Sequence, residues 1–226
     1  MVREVLCDSG SLISLTASCL DNALYFFAEN AGLKFVIPPS VEYETVKRPM
    51  EGNIRKHLFS AIRIKDAIED GVVVVVDAKV ENEGKRIMDS ANSMFYIKGK
   101  PIRLIQFGES EMLALAHELG VETILLDERT ARLLIEAPFR LKEHLEKEFN
   151  VNVMVNKNSY RELASRISSL SVIRSSELIM LAYEKGYFRN FVNLQEAALE
   201  AALYKMKFAG CAISFDEISQ YMYKVG

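Results

Sequence analysis

Gly108-Glu109-Ser110-Glu111-Met112-Leu113-Ala114-Leu115-Ala116-His117-Glu118-Leu119-Gly120 runs through residues 121–126 into Asp127-Glu128-Arg129. Its first part has helical spacing. At about 100° per residue, Glu109 falls in the middle of the stripe made by Met112, Leu113, Leu115, Ala116 and Leu119, while Glu111 lands beside Glu118 on the opposite face. The wheel therefore predicts Glu109 inward and Glu111 outward. Gly120 stops the helix, and residues 122–126 read as a short buried strand. That places Asp127 at the strand's carboxyl end, where open α/β sheets bind their ligands.

Working outward from this stretch, residues 2–7 read as a first strand ending at Asp8-Ser9-Gly10-Ser11. Leu12, Leu15, Leu20, Leu24 and Phe27 then recur at helical spacing up to Asn30 and Gly32. Residues 34–37 form a second strand. Pro38-Pro39-Ser40 opens another helix with Ser40 as its cap, Glu42 in its first turn, and Val41, Glu44 and Thr45 on one face, so Glu44 is expected to point inward. Residues 53–70 read as a helix and 72–76 as a strand buried on both faces. This β-α-β-α-β alternation implies a parallel sheet with right-handed crossovers. Residues 81–95 suggest a helix, 99–101 a turn, 129–135 and 141–149 helices, and 151–155 a last strand.

Beyond Asn156 the pattern is helical throughout, at 160–170, 176–185, 194–208 and 215–223. Gly186 and Gly210 act as stops, and Ser214-Phe215-Asp216-Glu217 as a capping box. The expected organisation is an α/β domain over residues 1–155, with a Rossmann-like parallel sheet flanked by helices, and a small helical C-terminal extension over 156–226.

The 226 residues are 50% hydrophobic and 26% charged, which suits one sizeable core plus an appendage. A net charge of −3 excludes a protein that is basic overall, while leaving room for a local basic patch. Cys7, Cys19 and Cys211 have no paired or metal-like spacing and lie among apolar neighbours, so buried, reduced thiols and a cytoplasmic setting are expected. No apolar run is long enough to span a bilayer, so no membrane association is expected.

Asp8, Glu44, Glu109 and Asp127 are each expected at a strand end or on an inward helix face. A carboxylate facing a core is costly unless it is paired or bound to a metal, and no lysine or arginine shares those inward stripes. One cluster holding a hard divalent cation, Mg2+ or Mn2+, accounts for all four. Glu118 and Glu128 are read as solvent-facing, with Glu128 nearest the pocket. His57, His117 and His144 lack the mutual spacing of a zinc site or a catalytic dyad. Arg129 and Arg132 flank Asp127 closely enough to meet a phosphate, and pairing with nearby Glu side chains at the surface is the alternative reading. An aspartyl nucleophile at Asp8 would need a second acid two residues on, where Gly10 stands.

These motifs resemble those of PIN-domain proteins, the metal-dependent ribonucleases that include the VapC-type toxins. The likeness rests on Asp8-Ser9-Gly10-Ser11-Leu12-Ile13, on Glu44 after Ile37-Pro38-Pro39, on Gly108-Glu109 before Leu113-Ala114-Leu115-Ala116, and on Leu125-Leu126-Asp127-Glu128-Arg129 with Ala131-Arg132. It covers about two-thirds of the chain, carried by order and spacing. The tail segments around 175–188 and 208–214 are similar to the helical C-terminal segment of a prokaryotic PIN subgroup. The resemblance implies that Asp8, Glu44, Glu109 and Asp127 bind Mg2+ or Mn2+, that Ser9 is the hydroxyl beside the first acid, and that single-stranded RNA is cleaved. It leaves open an antitoxin partner and a homodimer, and a catalytically weak RNA-binding or scaffold protein is the alternative. Two departures stand out: Gly10 replaces the usual Ser or Asn, and the segment between Glu44 and Glu109 is longer than in compact toxins.

Overall fold

The computed structural model describes residues 3–52 and 55–225. In chain order these form β1 (Arg3–Cys7), α1 (Ser9–Ala17), α2 (Asn22–Ala31), β2 (Leu33–Ile37), α3 (Pro39–Glu42), a π-helical turn (Tyr43–Lys47), α4 (Arg48–Glu51), α5 (Leu58–Glu69) and β3 (Val73–Val75). Next come α6 (Glu81–Asn92), β4 (Phe95–Ile97), β5 (Lys100–Pro101), α7 (Phe107–Leu119), β6 (Thr123–Leu125), α8 (Arg129–Glu136), α9 (Pro138–Phe149), β7 (Val153–Val155), α10 (Lys157–Ile167) and β8 (Ser171–Ile173). The chain then continues through α11 (Ser175–Glu184), α12 (Gln195–Ala209) and α13 (Phe215–Val225). The start of the first expected strand, Val2, and residues 53–54 of the expected helix at 53–70 lie outside the described residues.

Two compact units result, one from Met1–Val76, Leu125–Asp127 and Ile173–Gly226, the other from Asp77–Ile124 and Glu128–Val172. The boundary expected near Asn156 does not fall where they divide. In the first unit, β1 and β2 run parallel with Val5 opposite Phe35 and Leu6 opposite Val36, and β2 continues parallel to β3 with Phe35 opposite Val73. The strand order is β3-β2-β1-β6-β8, all parallel, so the α/β class read from the alternation holds. β3 is an edge strand in which only Val73 is fully buried, not a strand covered on both faces.

The Asp8 main-chain N–H donates to the Leu125 carbonyl at 3.0 Å and the Leu126 N–H to the Ile173 carbonyl at 2.9 Å, extending the ladder to the carboxyl ends of β6 and β8. From β1 the chain winds to β2 and β3 on one side, whereas β6 and β8 lie on the other. The carboxyl ends of β1 and β6 therefore flank a topological switch point, the usual ligand crevice of such sheets.

α11 and α12 pack on α1 and α2. Leu178, Ile179, Leu199, Leu203 and Met206 share one core with Leu12, Leu15, Leu24, Phe27, Phe35 and Ile37. The C-terminal helices thus complete the hydrophobic core of the N-terminal strands, which is why they do not form a separate extension. Cys7 and Cys211 are buried in that core. Cys19 is not: it is exposed at φ 57°, where the chain turns out of α1. Among the described residues no single helix is long and apolar enough to cross a membrane.

In the second unit, α6 packs along α7, and α10 packs on α6 with Arg166 paired to Glu83. The Asn92 side chain accepts from the N–H groups of Leu104 and Ile105 and donates to the Ile105 carbonyl, pinning the segment that precedes α7. β7, expected as the last strand of the parallel sheet, instead pairs antiparallel with β4, Phe95 opposite Val155, in a small sheet of order β5-β4-β7. Its alternating pattern shows that it is a half-covered strand but not which partner it has. The last strand of the main sheet is β8, three residues between two helices and too short to betray itself by periodicity.

Candidate functional site

Asp8 follows β1 and caps α1: its Oδ1 accepts the Ser11 N–H at 2.8 Å. It is 8% exposed. Burial pushes its carboxyl up to about 7; the Ser11 hydrogen bond works against this, and the nearby charge of Asp127 adds to it. A Cβ on Gly10 would stand 2.9 Å from Asp8 Oδ2. Any other residue at position 10 would crowd that oxygen. The adjoining Cys7 thiol is raised by burial and by Asp8.

Asp127 follows β6 and is 2% exposed. Its Oδ1 accepts the Ser175 main-chain N–H at 2.8 Å, and its Oδ2 accepts the Ser175 hydroxyl in a very short bond. A carboxylate at the first turn of a helix is favoured by the free N–H groups and the helix dipole. The same charge, together with the larger effect of burial, pushes the Cys211 thiol up to about 11.

Arg174, the residue before α11, is almost fully buried. It donates to Glu177, to Glu217 at 2.8 Å, to the Ala212 carbonyl and to the Tyr221 hydroxyl. Burial opposes its charge, yet Glu177 and Glu217 hold its pKa above the ordinary value. Burial likewise raises Glu217, but the Ser214 N–H and Arg174 outweigh it and bring that acid down to about 2. The network fastens α13 to the start of α11, and through Ser175 it fixes Asp127.

Glu44 departs from expectation. The π-helical turn inserts extra backbone into the helix and rotates the following positions, so Val41, Thr45 and Val46 are buried while Glu44 is exposed. It lines an open cleft together with Ile13, Arg48, Pro49, Lys56 and His57. Ser40 is not the cap of α3, which begins at Pro39 after Pro38.

Glu109 lies in the second unit, half-buried at the start of α7, where its Oε2 accepts the Gln106 N–H at 2.6 Å. It lines a cleft of about 340 Å3 with Arg103, Gln106, Glu128 and Thr130. Glu111, expected in solvent, is 9% exposed, and its Oε2 has no hydrogen-bond partner among the described residues. The wheel fails because residues 110–116 are all buried, leaving no outward face along the middle of α7, while Leu119 of the expected inner stripe is exposed. Gly84 of α6 approaches so closely that a Cβ there would lie 3.5 Å from the Glu111 Cα.

Glu128 caps α8 by accepting the Ala131 N–H at 2.6 Å. Arg129 is exposed. Arg132 is partly buried, 3.9 Å from Glu136, with its Nε unpartnered among the described residues. Ser9 is half-buried as the first residue of α1.

Of the four acids, Asp8 and Asp127 are brought together, at the carboxyl ends of neighbouring strands. Among the described residues no group of three or more His, Cys, Asp or Glu is arranged to hold a metal ion. The donors at the switch point are carboxylate oxygens, the type preferred by Mg2+ and Mn2+. Sequence reasoning missed Ser175 and the buried Glu111. The Ser175-Ser176-Glu177 run reads as an ordinary helix start, and nothing in it names a carboxylate 48 residues away. No family model, curated protein or solved structure matches the chain.

Proposed function

We propose that the chain is a PIN-like, Mg2+- or Mn2+-dependent endoribonuclease that hydrolyses phosphodiester bonds of single-stranded RNA. The observation that carries this reading is the pair Asp8 and Asp127, two buried carboxylates at the switch point of a parallel sheet, with the ionised form of Asp8 disfavoured by its surroundings. Such a pair is relieved by a cation. Asp8 and Asp127 would hold it. When bound, the cation supplies charge neutralisation at the phosphate and a lowered pKa for water.

The chain's own residues bind and orient. Asp8 Oδ2, left uncrowded by Gly10, accepts a hydrogen bond from the attacking water and directs it; Ser175 keeps Asp127 in one rotamer; Ser9, beside Asp8, meets the phosphate. The test is cleavage of a labelled single-stranded RNA with Mn2+, with excess EDTA, and by Asp8→Asn. Cleavage that needs the cation and falls at least about a hundredfold in Asp8→Asn is the expected result. Equal cleavage in EDTA, or full activity of Asp8→Asn, overturns it.

A second reading, an RNA-binding or scaffold protein without nuclease activity, is favoured by one observation: both oxygens of Asp127 are already engaged by Ser175. RNA binding without cleavage under any divalent cation would select it. An antitoxin partner, homodimer formation and residence in the cytoplasm belong to the nuclease reading as further proposals.

A further inference from the structure

We propose that the cleft between the π-helical turn, α4 and the start of α5 binds the backbone phosphates of single-stranded RNA, with Arg48 and Lys56 as the contacting cations. The inference rests on the ribonuclease reading for the identity of the polymer. The cleft has a volume of about 590 Å3, within the range of about 300–1,000 Å3 that ordinary ligand sites span. Ile13 and Pro49 form apolar wall, and Arg48, Lys56 and His57 bring positive or chargeable groups to the same concavity.

Two other cations of this unit are committed, Lys47 at 2.7 Å from Glu42 and Arg63 at 2.7 Å from the buried Asp21, whereas the exposed Arg55 forms no ion pair among the described residues. Among the described residues Arg48 and Lys56 form no ion pair. Two unpaired cations at one concave surface, in a protein whose net charge is −3, form a local positive field that attracts anions. The combination of cations with apolar wall suits a nucleotide, which offers a phosphate and the flat face of a base or ribose; a small inorganic anion would leave Ile13 and Pro49 uncovered.

Glu44 lines the same cleft, and an acidic peptide, with no flat face to set against Ile13 and Pro49, fits it less well than a nucleotide.

The test is binding of a labelled mixed-sequence single-stranded RNA to the full chain carrying Asp8→Asn, in EDTA, followed by fluorescence anisotropy over a range of salt. With Arg48→Ala and Lys56→Ala added, affinity at 0.1 M salt should fall about tenfold or more. The slope of log K against log salt should become shallower by about 1.4, since each phosphate contact on a single strand contributes about 0.7. Lys65→Ala, whose side chain pairs with Glu69 on the solvent face of α5, should leave both unchanged, and circular dichroism checks that every variant is folded. Unchanged affinity and slope overturn the inference, as does displacement of the RNA by polyglutamate at equal charge concentration. The two readings fail separately. If wild type cuts RNA while the Arg48/Lys56 variant binds normally, only this inference is lost; if it never cuts RNA but shows the binding signature, only the nuclease reading is lost.

Discussion

Asp8 combines three demands that rarely coincide: it caps a helix, it is nearly excluded from water, and it faces a second carboxylate. Its folded pKa of about 7 lies above the ordinary value of 3.8, so the native state holds this proton more tightly than the unfolded chain does. Stability from this group is therefore complete below about pH 4 and declines as pH rises to about 7, by an amount on the order of a few kcal/mol. Thermal melts in EDTA should show Asp8→Asn close to wild type at pH 4 and more stable at pH 8; coincident melts at pH 8 would mean that Asp8 is not desolvated. Mn2+ should raise the wild-type melting temperature at pH 8 and leave Asp8→Asn unmoved. Ser175→Ala removes the hydroxyl from a buried carboxylate and should cost about 1–3 kcal/mol in denaturant unfolding. Asp8 and Asp127 were legible in the sequence because a strand's carboxyl end follows from where its apolar run stops. Their partner Ser175 was not, since its role depends on which strand β8 lies beside.

Elements fail the sequence pattern in two instructive ways. In the turn at Tyr43–Lys47 the helical period itself changes, so a wheel drawn at a constant angle sends Glu44 to the wrong side. In α7 the period is regular, but there is no solvent face through residues 110–116 from which to read it. Glu111 is held there with an oxygen that has no partner among the described residues, and such a group costs stability unless it serves a ligand. Glu111→Met, similar in length and apolar, should stabilise the fold by about 1–2 kcal/mol in urea unfolding; a loss of stability would show that Oε2 has a partner in solution. By contrast, the capping box at α13 was legible and is present, with the Ser214 N–H donating to Glu217 and the Glu217 N–H to Ser214 Oγ. Arg174→Ala releases Glu177, Glu217 and Tyr221 together and should cost about 2 kcal/mol, less than a wholly buried pair because both acids are about one-third exposed.

At the scale of the whole molecule, the α/β class was legible because β-α alternation dictates a parallel sheet, whereas the division into units was not. Nothing in a helical pattern after Asn156 announces that Leu199, Leu203 and Met206 fill the core beneath Leu12 and Leu15. Truncation after Val155 should therefore leave a chain without cooperative thermal unfolding and with exposed apolar surface that binds a hydrophobic dye; a cooperative melt would show that residues 1–155 suffice. The core of the first unit joins stretches nearly 200 residues apart in sequence, so its loops close late and folding should be slow for its size. This bears on synthesis. Until the last third of the chain has emerged from the ribosome, α1 lacks its cover from α11 and α12, and Asp127 lacks the Ser175 that holds it. In a nascent chain the cover of α1 and the Ser175 hold on Asp127 are therefore among the last parts of the first unit to form, and the apolar face of α1 stays open to solvent or to a chaperone until then.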